Sequence, residues 1–552
     1  MIQRHKGKIV LYQPQQVDAS LGAESSKDML PLECLAIAAE PVAQGYEVVI
    51  IDGSLYDQET AHRMVVEACE DAMLYGTTGI LGFMVKDAYQ CSQRVHERFP
   101  ALTKVIGGWF ASVRPELQLE TGVYDAVVCG QGELAFMDVV EAVSCGEPLD
   151  ELQSLALWRG GEVQKNPRQP VVGWDRLRNM PWGMLDIEPY RAHQMRPDSH
   201  KDILRMPSPS WIGKRRPYFG ITYFSSFGCP EPCKFCCSPF VTNRRWKAMP
   251  AERMLDDLEE LKDRWDFDVI RFHDANFGVH QKRVKEFAEG ILERQLKFGW
   301  NCFIETNSIL SYKPEVLDAM AQSGMHLAEI GAETGTDDFM KEWVGKPIKG
   351  DDNVRATAEM DRRGIECSVT YIIGYPHEKP DNMLATLDQA RQCQVASPRS
   401  SPTVWPYRPI PGTEMWDEAI KLGFQPPKQL EDWGSLGEYH LHETWPGRIP
   451  AEVAKVRKLY CHYQTLARGL VRSKIGVWEK LAKWRLSSGN YSLGSLETKA
   501  FTVWNRLSRR FTKPEEISRS WVDPGHKTGT GENVAAKKID QSQVVSEVTT
   551  TR

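Results

Sequence analysis

Three cysteines within one nine-residue run constrain this chain more than any other feature. The run Gly228-Cys229-Pro230-Glu231-Pro232-Cys233-Lys234-Phe235-Cys236 spaces them C-x3-C-x2-C, with an aromatic residue before the third. Thiolates on so short a loop can ligate three irons of a [4Fe–4S] cluster and leave the fourth iron open to a small molecule. A closed structural metal site would want four ligands. A zinc knuckle, or three unrelated thiols, is the competing reading. The run follows an apolar stretch, Tyr218 to Phe224, which places the thiols at the C-terminal end of a strand. Barrel enzymes carry their chemistry there. Cys237 lies outside the spacing and reads as a packed thiol.

The segments that follow continue the pattern. A helix is expected from Pro250 to Trp265, with Met254, Leu255, Leu258, Leu261 and Trp265 on one face. Strands are expected at Asp268–Phe272, Trp300–Ile304, His326–Ile330, Cys367–Ile373 and Pro402–Pro406, each ending in polar or glycine-rich residues. With Tyr218–Phe224 these make six parallel strands, a partial (βα)6 TIM-type barrel over residues 216–435.

Residues 1–150 alternate in the same way. Apolar strands are expected at Lys8–Tyr12, Glu47–Asp52, Gly79–Val85, Lys104–Gly108 and Tyr124–Gly130, with a helix at Leu32–Gln44 stopped by Gly45. Five such strands separated by helical lengths imply a doubly wound, Rossmann-like parallel sheet. Ligands bind beyond the carboxyl ends of such sheets. Gly107, Gly108, Gly130 and Gly132 fall there, where backbone must turn sharply or approach a ligand. Residues 151–215 read as a connector, punctuated by Asn179-Met180-Pro181-Trp182 and the Pro/Ser-rich Met206–Ser210, with no core of their own.

The cysteine motif resembles that of the radical S-adenosylmethionine superfamily, and the resemblance extends along the barrel. Asp274-x-Asn276-Phe277 is similar to the family's Asp-Asp-Asn-Phe segment, Gly331-x-Glu333-Thr334-Gly335 to its Gly-x-Glu-Ser-Gly, and Gly374-x-Pro376-x-Glu378 to its Gly-x-Pro-x-Glu. The resemblance implies that Cys229, Cys233 and Cys236 are the catalytic cluster ligands. It implies that Phe235, Asn276, Glu333, Gly374 and Glu378 surround S-adenosylmethionine. With the N-terminal sheet included, the chain resembles the cobalamin-dependent branch, on Val105-Ile106-Gly107-Gly108-Trp109 and Cys129-Gly130-Gln131-Gly132-Glu133. Gly107, Gly108, Gly130 and Gly132 are then cobalamin-binding. The loop Pro14–Gly22 carries no His, so cobalamin without a protein histidine on cobalt is expected. A vestigial flavodoxin-like domain that binds nothing is the alternative.

What the branch implies is methylation of an unactivated carbon, through a 5′-deoxyadenosyl radical and methylcobalamin. An electron donor such as flavodoxin or ferredoxin is implied too. The alternatives are a non-methylating cyclase or rearrangement enzyme, similar to the anaerobic magnesium-protoporphyrin monomethyl ester cyclase, and a non-catalytic cobalamin-binding sensor. Tyr407–Thr413 and Gln425–Trp433 resemble the cyclase-like and lipid-methylase-like subgroup. The substrate is a small molecule, a lipid or a porphyrin.

Composition limits the remainder. A formal net charge of -6 over 552 residues does not suggest a generic nucleic-acid binder. Outside Cys229–Cys237 the remainder of the 13 cysteines are scattered singly, which suits a reducing cytoplasm and not a disulfide scaffold. No signal-peptide pattern precedes the first strand and no stretch of 18 apolar residues is present. The helical C-terminal region, 436–522, is basic: between Val453 and Lys513 only Glu479 and Glu497 are acidic against 14 Lys and Arg. With Trp478, Trp484 and Trp504 interleaved, it reads either as a peripheral contact for an anionic membrane or as a solvated cap on the barrel. Residues 523–552 are polar and expected to be disordered.

Overall fold

The computed structural model describes residues 6–18, 29–195, 218–436, 445, 448–468 and 476–509. The Met206–Ser210 stretch, residues 19–22 of the first loop and the tail from 523 lie outside the described residues.

The N-terminal sheet holds β1 (Lys8–Gln13), β2 (Glu47–Asp52), β3 (Leu74–Thr78), β4 (Thr103–Gly107) and β5 (Ala126–Val128), in the order 2-1-3-4-5 and all parallel. Alternation along β1 shows why it is doubly wound. Ile9 and Leu11 enter one core with residues of helices Leu32–Ala43 and Glu133–Cys145, while Val10 and Tyr12 enter another with helices Gln58–Ala68 and Phe83–Arg98. Successive side chains point to opposite faces, and both faces are covered.

Two expectations are corrected. The third strand is Leu74–Thr78, not Gly79–Val85. Gly79–Gly82 is a loop, and Phe83, Met84 and Val85 begin a helix that is buried on its first turn. Complete burial removed the periodicity that would have separated helix from strand. The connector is also more than punctuation. β6 (Leu155–Arg159) and β7 (Glu162–Lys165) add an antiparallel hairpin to the N-terminal sheet. Trp174, Trp182 and Tyr190 are buried in the largest core of the molecule. Few but large aromatic side chains bury enough area to fix a loop-rich segment.

The barrel comprises β8 (Gly220–Tyr223), β11 (Val269–Phe272), β12 (Gly299–Phe303), β13 (Met325–Glu333), β14 (Glu366–Ile373) and β15 (Ser401–Pro406), with a small hairpin of β9 (Ser226–Phe227) and β10 (Lys247–Ala248) beside the cysteine loop. The six strands run parallel in the order 15-14-13-12-11-8, so β8 and β15 are free edges. Side chains close both. The Gln194 amide, on helix Glu188–Gln194, donates to Gly220 O at 2.9 Å and accepts from Gly220 N at 2.8 Å, as a neighbouring strand would. On β15, helix Ala451–Ala467 delivers Arg457 Nε to Val404 O at 2.7 Å and Tyr460 OH to Pro402 O at 2.7 Å, with the Gln464 amide on the same carbonyl. Unpaired strand edges invite intermolecular pairing, and these contacts occupy them. The helix buries Val453, Leu459, Tyr460, Tyr463 and Leu466 against the barrel. This part of the basic region is therefore a cap.

Candidate active site

The cysteine loop is held rigidly from both sides. Gly228 has φ +81, and a Cβ there would collide with Arg245 O. Lys234 N donates to Val344 O at 3.0 Å, and Cys236 N to Cys233 O at 3.3 Å. Cys229 and Cys233 are buried and Cys236 is half-buried. None is in a disulfide. Burial pushes the Cys229 thiol up to about 11 and the Cys233 thiol further, whereas a hydrogen bond from Cys237 lowers Cys236. Metal binding displaces the protons of such thiols to solvent and leaves thiolates as ligands. Among the described residues no three His, Cys, Asp or Glu side chains gather closely enough to share one metal ion. A multi-iron cluster does not ask for that, since each thiolate meets a different iron. Three free thiols on one clamped loop fit such a cluster.

Behind this loop lies a feature that the strand-end pattern missed. A one-turn π-helix, Met340–Val344, ends at Gly345, whose φ is +89 and whose Cβ would lie 2.8 Å from Pro232 O. Only glycine lets this turn touch the cysteine loop. It presents Lys346, which is buried. The ammonium donates to Glu305 Oε2 at 2.9 Å, Gly331 O at 3.0 Å and Glu333 Oε1 at 2.7 Å. All three of its protons have acceptors. Burial works against the Lys346 charge, but the two carboxylates overcome it and raise its hold on the proton well above an ordinary lysine's. Burial pushes the Glu333 carboxyl up, and Lys346 opposes that. Glu333 sits at an irregularity in the β13–β14 register with φ +59, a conformation that costs a non-glycine residue about 1–2 kcal/mol. Such strain persists where the surroundings over-determine it, commonly at functional sites. One layer below, Arg271 pairs in bidentate fashion with Glu329 at 2.9 and 2.8 Å.

Glu378 caps its own loop. Its Oε2 accepts from Gly374 N at 2.6 Å and Tyr375 N at 3.1 Å, and Gly374 holds φ +84. Among the described residues its Oε1 is buried without a hydrogen-bond partner, as are the Tyr375 and Tyr407 hydroxyls. Those two rings lie 5.0 Å apart, and Phe235 packs on Tyr375 at 5.7 Å. Burial raises the Glu378 carboxyl to about 8. Buried orphan polar atoms are rare and need a reason; here they mark where a polar ligand would be recognised. Asn276 is spent locally, with Oδ1 on Gly278 N at 3.1 Å. Its neighbour Asp274 accepts from Ser225 N at 2.6 Å and Ser226 Oγ at 2.7 Å, tying β11 to the segment that leads into the cysteine loop.

The glycines of the first sheet gather at one edge. A Cβ on Gly108, at φ +95, would lie 2.7 Å from Gly79 O. Gly130 has φ +90 and receives Ser112 Oγ on its N–H at 2.9 Å. Gly132 caps helix Glu133–Cys145. From this edge Arg168 bridges to the cysteine side, donating to Ser112 O and to Val241 O, both at 3.2 Å. Val241 is in the short helix that follows the cysteines. A cavity of about 220 Å³ lies beside this bridge, lined by Ser112, Cys129, Arg168, Phe240 and Gly412. The thiols, the Lys346 cluster and Glu378 thus share the barrel mouth, and Arg168 ties the glycine edge to the helix that follows the thiols.

Residues 223–390, which hold the three thiols and strands β11 to β14, match the Radical SAM superfamily. The chain is 26% identical over 388 residues to an uncharacterized methyltransferase of Pyrococcus horikoshii, covering 70% of this chain and 78% of that one. It is 26% identical to the cytidylyl-2-hydroxyethylphosphonate methyltransferase of Streptomyces wedmorensis, over 64% and 68% of the two chains. It is 24% identical to the anaerobic magnesium-protoporphyrin IX monomethyl ester cyclase of Rubrivivax gelatinosus, over 67% and 63%. Its fold is similar to that of the radical S-adenosylmethionine methyltransferase TsrM of Kitasatospora setae, solved with cobalamin and a [4Fe–4S] cluster, with TM-score 0.59 and 16% identity, covering 80% of this chain and 83% of that one.

Proposed function

We propose that the protein is a cobalamin-dependent radical S-adenosylmethionine methyltransferase acting on an unactivated carbon. One observation carries this: Arg168 ties the carboxyl end of the first sheet, at Ser112 O beside Gly130, to the helix that follows the clamped thiol loop, at Val241 O. When bound, the cluster and S-adenosylmethionine supply a 5′-deoxyadenosyl radical, and cobalamin a methyl group. The chain's own residues position and shield these groups. Cys229, Cys233 and Cys236 hold the cluster. Phe235, Glu333, Gly374 and Glu378 contact S-adenosylmethionine, with Asn276 setting the turn beside them. Glu305 and Glu333 bring carboxyl oxygens to one place beside the thiol loop, acceptors suited to a ligand that carries an ammonium. Gly107, Gly108, Gly130 and Gly132 let cobalamin approach the sheet edge. A flavodoxin or ferredoxin supplies the electron. The residue ranges 1–150 and 216–435 then act as cobalamin and radical domains, with 151–215 joining them and 436–522 capping the barrel.

The test is anaerobic turnover of reconstituted protein with cobalamin, S-adenosylmethionine bearing a deuterated methyl group, and a host extract that includes lipids. A product that gains the labelled methyl, together with 5′-deoxyadenosine, is the expected result. Deoxyadenosine with no labelled product would instead support the cyclase reading, which the similarity to the Rubrivivax gelatinosus enzyme motivates.

Two further results are expected. Glu378 carries its proton below about 8 in the free protein, whereas a bound ammonium wants the carboxylate. S-adenosylmethionine affinity should therefore rise as pH increases toward 8, by up to about tenfold per unit, and flatten above it. Calorimetric titration across pH 6.5 to 9 checks this, and Glu378→Gln should abolish the dependence. Gly108→Ala forces a side chain into positive φ against Gly79 O. It should cost at least about 2 kcal/mol and weaken cobalamin binding, read from the visible absorbance of the isolated protein, while iron content is retained.

A further inference from the structure

We propose that the outward face of helix Gly494–Arg509 docks on an anionic lipid bilayer. The helix has two apolar faces. The inner one places Phe501 against His462 and Trp478, with ring centroids 5.3 and 5.4 Å apart, and turns Glu497 inward to Tyr463 and Arg485. The outer one carries Leu493, Leu496, Ala500 and Val503 at spacings of three, four and three, which puts them on one stripe. Leu493, Leu496 and Val503 are 55%, 65% and 59% exposed, and Trp504 is exposed beside them. A surface helix ordinarily puts polar residues on that side; a continuous exposed apolar stripe marks a contact.

Charge decides the partner. The adjoining helix Val477–Ser488 exposes Trp484, Lys480 and Lys483, and Lys499 flanks the stripe. Of the two acids in these helices, Glu497 is turned to Arg485 and Glu479 is paired with Lys483 at 2.6 Å. A second copy seated on this face would set its positive charges against these, because a two-fold contact pairs a patch with itself. Anionic headgroups complement the charge, acyl chains take the leucines and valine, and tryptophan suits the boundary between them. Among the described residues no helix is long and apolar enough to cross a membrane, so the contact is with the surface. This inference stands apart from the methyl-transfer reading and depends only on the C-terminal helices.

The experiment is flotation of the full chain with phosphatidylcholine vesicles, with and without phosphatidylglycerol. Binding is expected only when phosphatidylglycerol is present, and it should weaken with added salt. Lys480→Glu or Lys499→Glu should each reduce the partition coefficient by roughly fivefold or more. Leu496→Glu with Val503→Glu should abolish binding while leaving far-ultraviolet circular dichroism, iron content and deoxyadenosine release unchanged, since both side chains point away from the core. Undiminished binding of the double variant would overturn the proposal. So would a dimer in sedimentation that the double variant dissolves, assigning the face to a second copy. Absence of both vesicle binding and dimer would also overturn it, assigning the face to the chain's own tail. Loss of deoxyadenosine release without vesicles would count against the catalytic reading alone.

Discussion

Replacing Cys229, Cys233 or Cys236 by Ala is expected to reduce iron incorporation and 5′-deoxyadenosine release to background. A cluster held by three thiolates has no spare protein ligand, and Cys237 is outside the spacing. The fold should survive. The cores of the N-terminal sheet contain none of these residues, so cobalamin should still bind to each variant. The checks are iron and sulfide content after anaerobic reconstitution, and chromatography of the nucleoside product. Full iron content in any one of the three variants would remove that cysteine from the ligand set. Deoxyadenosine release by the triple variant would remove the radical reading altogether.

Lys346→Met is expected to produce the largest loss of stability of any single change at the barrel mouth. It leaves Glu305 and Glu333, both largely buried, facing each other without their shared cation. Removing one partner of a buried ion pair typically costs about 3–5 kcal/mol, most of it the burden of the charge left behind. Denaturant unfolding of the cluster-free protein measures this. Adding Glu333→Gln removes part of that burden, so the double variant should regain stability relative to Lys346→Met yet remain unable to bind S-adenosylmethionine. A destabilisation below about 1 kcal/mol would mean that the carboxylates find water or other donors, and that the ammonium does not organise the site.

These two predictions differ in how readable their residues were beforehand. The cysteines announce themselves because the chemistry demands a fixed local spacing, and the polar ends of the barrel strands follow from parallel topology. Lys346 has neither signal. It lies in a loop between a π-turn and a proline, and its meaning comes from Glu305, just past β12, and Glu333, at the end of β13. The same holds for the Tyr375 and Tyr407 hydroxyls, whose lack of partners is a property of packing. Misplacing β3 has a simple cause: Leu74–Thr78 contains a glycine and two threonines, while the more apolar run after it is a buried helical turn. The connector misled for the opposite reason. It is rich in turn residues, yet Trp174, Trp182 and Tyr190 anchor it in the main core. Asn276 fits the motif by identity, and its Oδ1 also accepts from Gly278 N, a local cap that the motif does not announce. The outward stripe near the C-terminus is visible as a spacing, but its inner face had to be located before the outer one could be recognised.

The sealing of β15 by Arg457, Tyr460 and Gln464 sets an order on assembly. During synthesis all six barrel strands leave the ribosome before helix Ala451–Ala467 exists, so for that interval the nascent barrel has one raw β edge. Gln194 precedes β8, and the opposite edge is covered as soon as its strand forms. Among the described residues the barrel sheet is thus vulnerable on its β15 side, and late. Chains that stall or are cleaved between residues 410 and 450 would carry a complete strand set with an open flank, the kind of intermediate that pairs with its own copies and aggregates.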